Sequence, residues 1–202
     1  MLFAANLSIL WPQLPLADRF EHAARAGFAA VELWWPGLAA ARSLPALTAR
    51  WGLRLALLNF DAGDMAAGER GLAGDPGRRE RLRASVPDAL AIARACGCPR
   101  LNLLLGLRQE RYSLGQQLAC AADNVAWAAD LAAQAGCEVM LEAINPTDNG
   151  PCLLTTTAAA ASFAARVARD NVRLQYDVYH MQRMEGDLVA TLDAYWPLIG
   201  HI

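Results

Sequence analysis

The chain has 202 residues, 55% of them hydrophobic, and a formal net charge of −2, enough apolar content for one sizeable core and an expected single domain over residues 1–202. The near-neutral balance argues against a nucleic-acid-binding surface, which is ordinarily basic. All eighteen Lys+Arg residues are arginine, which excludes a lysine Schiff base and a Walker-type phosphate loop.

Short apolar runs alternate with longer, Ala-rich amphipathic segments. The pattern predicts a strand over 3–7, a helix over 16–26, a strand over 30–34, a helix over 38–51 and a strand over 54–60. A loop rich in Gly, Asp and Arg follows over 61–77. Ordered loops of this length often act as lids, and a disordered surface insertion is the alternative. The next helix, over 79–96, contains Pro87, which predicts a kink or a short break. Then come a strand over 100–105, a helix over 114–135, a strand over 138–144, a helix over 155–168, a strand over 172–178 and a helix over 188–196. Gly27, Gly52, Gly97 and Gly136 each follow a helix and stop it before the next strand.

Six β-α repeats argue for a parallel sheet with crossover helices. A doubly wound sheet usually carries a glycine-rich turn after its first strand. Here the stretch from Asn6 to Pro12 has no glycine. The expectation is an α/β fold of the TIM (β/α)8 barrel type. It is incomplete, with six βα units and the start of a seventh strand at Gly200-His201-Ile202, because a full barrel typically needs ~250 residues.

The five cysteines are an odd number, and Cys96-Gly-Cys98 is not the C-x-x-C spacing of redox or zinc sites. Buried thiols in a reducing cytoplasm are the expectation. The N-terminus lacks the basic and apolar regions of a signal peptide, and no apolar run reaches the ~18 residues of a membrane span.

Chemistry concentrates at strand ends, which form the active-site face of a parallel α/β barrel. Glu142 closes the fifth predicted strand, with Asn145 and Asp148 just beyond it. Asp177 and His180 close the sixth with Asp-x-x-His spacing. Carboxylates beside a core need a metal, a proton or a partner to compensate them. Oxygen and imidazole donors on adjacent strands suit Mg²⁺ or Mn²⁺, and also Co²⁺ or Zn²⁺, with a structural rim network as the alternative. Glu32, ending the second strand, either orients substrate or hydrogen-bonds its neighbours. Trp34 and Trp35 either wall a pocket mouth or belong to the core. Arg70 in the long loop could grip a substrate carboxylate with its two-pronged guanidinium, or simply be solvated. Asn6 and Asn59 read as rim hydrogen-bonders, and His22 as a surface or packing residue.

These residues resemble the hydroxypyruvate isomerase family of the xylose-isomerase-like (AP endonuclease family 2) barrels. The similar segments are Phe3-Ala-Ala-Asn6-Leu-Ser8, then Ala26-Gly27-Phe28 through Glu32 to Pro36. Gly63-Asp64 through Gly68-Glu-Arg70-Gly71-Leu72 to Arg78, Leu141-Glu142-x-Ile144-Asn145 and Leu174-Gln175-x-Asp177-x-Tyr-His180-Met-Gln182 complete the match. The resemblance implies four metal ligands on strands five to eight. Glu142 and Asp177 match the first two; the third would fall just past Ile202 and the fourth, a glutamate, on strand eight. It also implies that Glu142 is one of an acid/base pair and that His180 touches substrate, with Arg70, Glu32 and Asn145 as further substrate-binding candidates. The family pattern departs at Thr147, where an arginine is usual, and at Asn149-Gly150-Pro151, where Pro-Gly is usual. The implied reaction interconverts hydroxypyruvate and tartronate semialdehyde through a metal-stabilised enediolate. The implied partner is a small hydroxy-keto acid or sugar, without nucleic acid or membrane, in a monomer or homo-oligomer. A 2-oxo-tetronate isomerase or another sugar isomerase or epimerase is the near alternative. A DNA-repair endonuclease would need more histidines and a basic face, and a chain cut short after strand six would be a non-catalytic fragment.

Overall fold

The computed structural model describes residues 3–202. The reading of the N-terminus as no signal peptide rests partly on Met1 and Leu2, which lie outside the described residues. Seven parallel strands form one sheet in the order of the sequence. They are β1 (Ala4–Asn6), β2 (Ala30–Leu33), β3 (Arg54–Asn59), β4 (Arg100–Asn102), β5 (Glu138–Glu142), β6 (Val172–Gln175) and β7 (Ile199–His201). Helices connect them: α1 (Leu16–Arg25), α2 (Leu38–Ala41), α3 (Leu44–Trp51), α4 (Arg79–Cys96), α5 (Leu114–Gln134), α6 (Pro146–Asn149), α7 (Thr157–Val167), α8 (Val178–Met184) and α9 (Leu188–Tyr195). This is the expected α/β architecture of the TIM-barrel type.

Alternation along the strands separates two faces. In β5, Val139 and Leu141 join the buried core with Ala128, Ala129 and Ala132 of α5. Glu138, Met140 and Glu142 take the other, concave face. Polar side chains gather there too: Arg100 of β4 lies 3.5 Å from Glu138, and Asn102 donates to Glu142. The sheet curls so far that His201 of β7 reaches Glu32 of β2, 2.6 Å away, and Glu32 in turn accepts from Asn6 of β1. Three strands at the two edges thus share one hydrogen-bonded chain.

Several sequence-based expectations change, among them the strand expected over 100–105, which ends at Asn102. The helix expected over 38–51 is two helices, because Pro45 sits in the first turn of α3, where a missing N–H is tolerated. Extending α2 through it would press the proline ring against the Ala41 carbonyl. Pro87, by contrast, does not break α4, which runs unbroken around buried Leu82, Val86, Ala89, Leu90 and Ala93. The strand expected over 172–178 ends at Gln175; Asp177 instead caps α8, its Oδ1 accepting the His180 amide at 2.7 Å.

The loop after β3 is packed rather than a loose insertion. Leu72 and Ala73 are buried, and Gly71 bridges to Leu105, three residues past β4. Asn124 and Gln117 of α5, both fully buried, donate to the Ala73, Gly74 and Leu107 carbonyls. Gly71 is required: its φ is 125°, and a Cβ there would overlap the Leu104 carbonyl.

Candidate active site

Glu142, Asp177 and His180 come together at the C-terminal rim of β5 and β6, with one ligand atom from each within 4.8 Å of the others. Strand register delivers the first, since Glu142 is the last residue of β5 and pairs with Gln175 of β6. The cap of α8 delivers the other two: Asp177 is its N-cap and His180 lies in its first turn.

Glu142 is a nearly buried side chain, 9% exposed. Asn102 donates to its Oε2 at 2.6 Å, while Oε1 lies 4.0 Å from His180 Nε2. Burial pushes its carboxyl up to about 8, and the nearby Asp177 and Glu32 charges push the same way, against the Asn102 hydrogen bond. Burial moves the His180 imidazole in the opposite direction, below its usual range, though Asp177 and Asp148 oppose this. Two carboxyl groups face each other here, and among the described residues no arginine bonds either; these close, hard oxygen donors are a set that a divalent cation fits once Glu142 gives up its proton.

Asn145 is fully buried behind His180. Its Oδ1 accepts the Asp148 amide at 3.0 Å, and its Nδ2 lies 2.7 Å from His180 Nδ1. Arg70 approaches from the long loop. Its Nε donates to Asn149 Oδ1 and its Nη1 to the Met65 and Glu69 carbonyls, all at 2.9 Å. Its Nη2 makes no hydrogen bond among the described residues. Cys152 feels both the Arg70 and the Glu142 charge, and burial raises its thiol to about 11. It packs with Ala62, Met65, Leu104 and Ile144 as an apolar wall. Outside the wall, Asp148 accepts from the Tyr179 hydroxyl at 2.7 Å and lies 3.4 Å from Arg183, clamping α6 to α8. That hydrogen bond and ion pair hold the Asp148 carboxyl below its ordinary value.

Glu32 lies on the opposite wall, held between Asn6 and His201, so the structure places it beside the other candidates but already engaged. Trp34 and Trp35 line a separate cavity of about 860 Å³ at the rim of β1 to β3, together with Met65 and Arg81. The sequence reading gave no role to His201 or Asn102. Both are polar residues at strand ends, the same signal that marked Glu142, but their partners depend on register across the sheet. His22 bonds only the Asp18 carbonyl on its own helix, away from the site.

The sequence profile described as xylose isomerase-like TIM barrel matches residues 20–202. Hydroxypyruvate isomerase of Escherichia coli (strain K12) is 38% identical, the match covering 99% of this chain and 78% of that protein. A 2-oxo-tetronate isomerase of Cupriavidus necator is also 38% identical, with 99% and 77% covered. A solved structure of AP endonuclease, family 2 from Brucella melitensis superposes with a TM-score of 0.93 at 34% identity, covering 99% of this chain and 77% of that one. The chain thus spans about three quarters of the length of these relatives. The expectation that it is cut short finds no support in these matches. Among the described residues no helix is long and apolar enough to cross a membrane. With sequence likeness along nearly its whole length and the same parallel sheet, the chain belongs to the xylose isomerase-like TIM barrel family and is an isomerase of that superfamily.

Proposed function

We propose that the chain interconverts hydroxypyruvate and tartronate semialdehyde, with Glu142 as a proton-transfer group and with Glu142 and Asp177 as ligands of a divalent metal. The observation that carries this reading is the nearly buried Glu142 carboxyl grouped with Asp177 and His180 at the C-terminal rim of the sheet. A carboxylate held in this position is suited to removing a proton beside a carbonyl. Glu142 takes a proton from the hydroxymethyl carbon of hydroxypyruvate, and the electron pair forms the enediolate double bond. A proton then returns to the neighbouring carbon while the hydroxyl hydrogen of the first carbon passes to the oxygen of the second, which leaves an aldehyde at the first carbon and a hydroxyl on the second. A bound divalent cation, Mg²⁺ or Mn²⁺ by its oxygen-rich donors, supplies the positive charge an enediolate needs. His180 Nε2 faces the same space and hydrogen-bonds a substrate oxygen. Arg70 Nη2 meets the substrate carboxylate, and the Ala62, Leu104 and Ile144 wall excludes water. Glu32, held by His201, shapes the far side. The five free cysteines fit a reducing cytoplasm.

The test is turnover of hydroxypyruvate by the purified chain with and without Mg²⁺ or Mn²⁺. Metal-dependent turnover that Glu142→Gln abolishes, in a variant that still folds, supports the proposal. Wild-type activity in that variant removes Glu142 from the chemistry. Equal identity to a 2-oxo-tetronate isomerase favours that substrate as a second reading, and comparing kcat/KM for the two acids decides between them.

A further inference from the structure

The three donors grouped at the site invite a simple reading in which His180 is a third metal ligand. The hydrogen bonds behind the ring oppose it. The Asp148 backbone amide can only donate, and it points at the Asn145 side chain over 3.0 Å. That fixes the facing atom as the oxygen Oδ1, since a flipped amide would set NH₂ against N–H. The other end of the amide is therefore NH₂, which can only donate, and it meets His180 Nδ1 over 2.7 Å. Nδ1 must accept, so the ring hydrogen sits on Nε2. Nε2 is the atom turned toward Glu142, 4.0 Å from Oε1. That gap is too long for a direct hydrogen bond.

A histidine that ligates a metal needs a lone pair on the ligating nitrogen. Its other nitrogen then carries the hydrogen and usually gives it to a carbonyl or carboxylate. Asn145 presents the opposite partner, a donor. The residue cannot easily turn, because it is fully buried, its carbonyl accepts from Asn149 Nδ2, and the Asp148–Tyr179 contact clamps α6 to α8.

We propose that Asn145 is a positioning residue that locks the His180 ring with its hydrogen on Nε2, the tautomer that the donor role proposed above for His180 requires and that leaves this nitrogen no lone pair for a metal. The donor role rests on the proposed function; the position of the hydrogen does not.

The first test is ¹⁵N NMR of the metal-free chain labelled in its three histidines at about pH 8, where an ordinary imidazole is neutral. The signals lost in His180→Gln identify the ring. An unprotonated Nδ1 and a protonated Nε2 are expected, and the reverse pattern overturns the proposal. In Asn145→Asp the carboxylate only accepts, so the hydrogen is expected to move to Nδ1; an unmoved hydrogen shows that something other than Asn145 sets it. The second test is Mn²⁺ titration. His180→Ala is expected to change affinity less than about threefold, whereas Asp177→Asn weakens it at least about tenfold. Equal losses in the two variants make His180 a ligand and sink the proposal. A wild-type chain that binds no Mn²⁺ refutes the proposed function, while the ring signals still decide where the hydrogen lies.

Discussion

In the folded, metal-free chain Glu142 keeps a proton up to about pH 8, whereas an ordinary carboxyl releases it near 4.5. Its contribution to stability is therefore fully present below about 4.5 and is lost as pH rises through about 8. His180, shifted downward, works with the opposite sign, but only on the acid side of its ordinary value of 6.5. Between about pH 7 and 8, clear of that histidine, the thermal midpoint of the metal-free chain is expected to fall with pH, and Glu142→Gln to flatten the fall. Calorimetry checks this. If Glu142 ligates a metal as proposed, the metal displaces the same proton, so Mn²⁺ affinity is expected to rise with pH and level off above about 8, with proton release seen by calorimetry in two buffers. At this scale the sequence was legible where a residue's own position announced it. Glu142, Asp177 and His180 stood out as polar residues closing apolar runs. Asn102, which bonds Glu142, and His201, which bonds Glu32, did not. Each matters through a partner on another strand, and a register is not written in any one segment.

Elements follow the same logic. Glycine stops and apolar runs set most strands and helices within a residue or two, because those signals are local. What was missed is where local signals compete. Pro45 divides one amphipathic stretch into α2 and α3, and the apolar tail of β6 is claimed by α8 once Asp177 caps it. The long loop shows how an element can be held by distant parts: Gly71 against Leu105, and Ala73 against Asn124. Gly71→Ala would clash with the Leu104 carbonyl and strain the backbone, at a cost of about 1–3 kcal/mol. If Arg70 grips the substrate carboxylate, the same change should raise KM more than it lowers kcat. Steady-state kinetics beside thermal melts separate the two effects; an unchanged KM would place Arg70 away from the substrate.

For the whole molecule, the decisive fact is that the sheet ends at β1 and β7, whose outer edges pair with no other strand among the described residues. Beside them Phe3, Trp196 and Ile202 are 71%, 61% and 52% exposed. Apolar side chains next to open edges favour self-association. The chain is expected to show concentration-dependent scattering that Trp196→Glu reduces. Glu32→Ala, which removes the link between β2 and β7, should lower the midpoint by a few degrees, as expected for about 1–3 kcal/mol in a protein this size. The strand order has a further consequence for how the fold is reached. Each strand after β1 pairs with the one just before it in the sequence. As the chain leaves the ribosome, each new strand finds its neighbour already in place, and the sheet can grow from one end without waiting for distant partners. The contact of Glu32 with His201, 169 residues apart, must wait for β7. Of the seven described strands β7 therefore joins after the other six, and in hydrogen-exchange pulse labelling of refolding it should gain protection after β1 to β6.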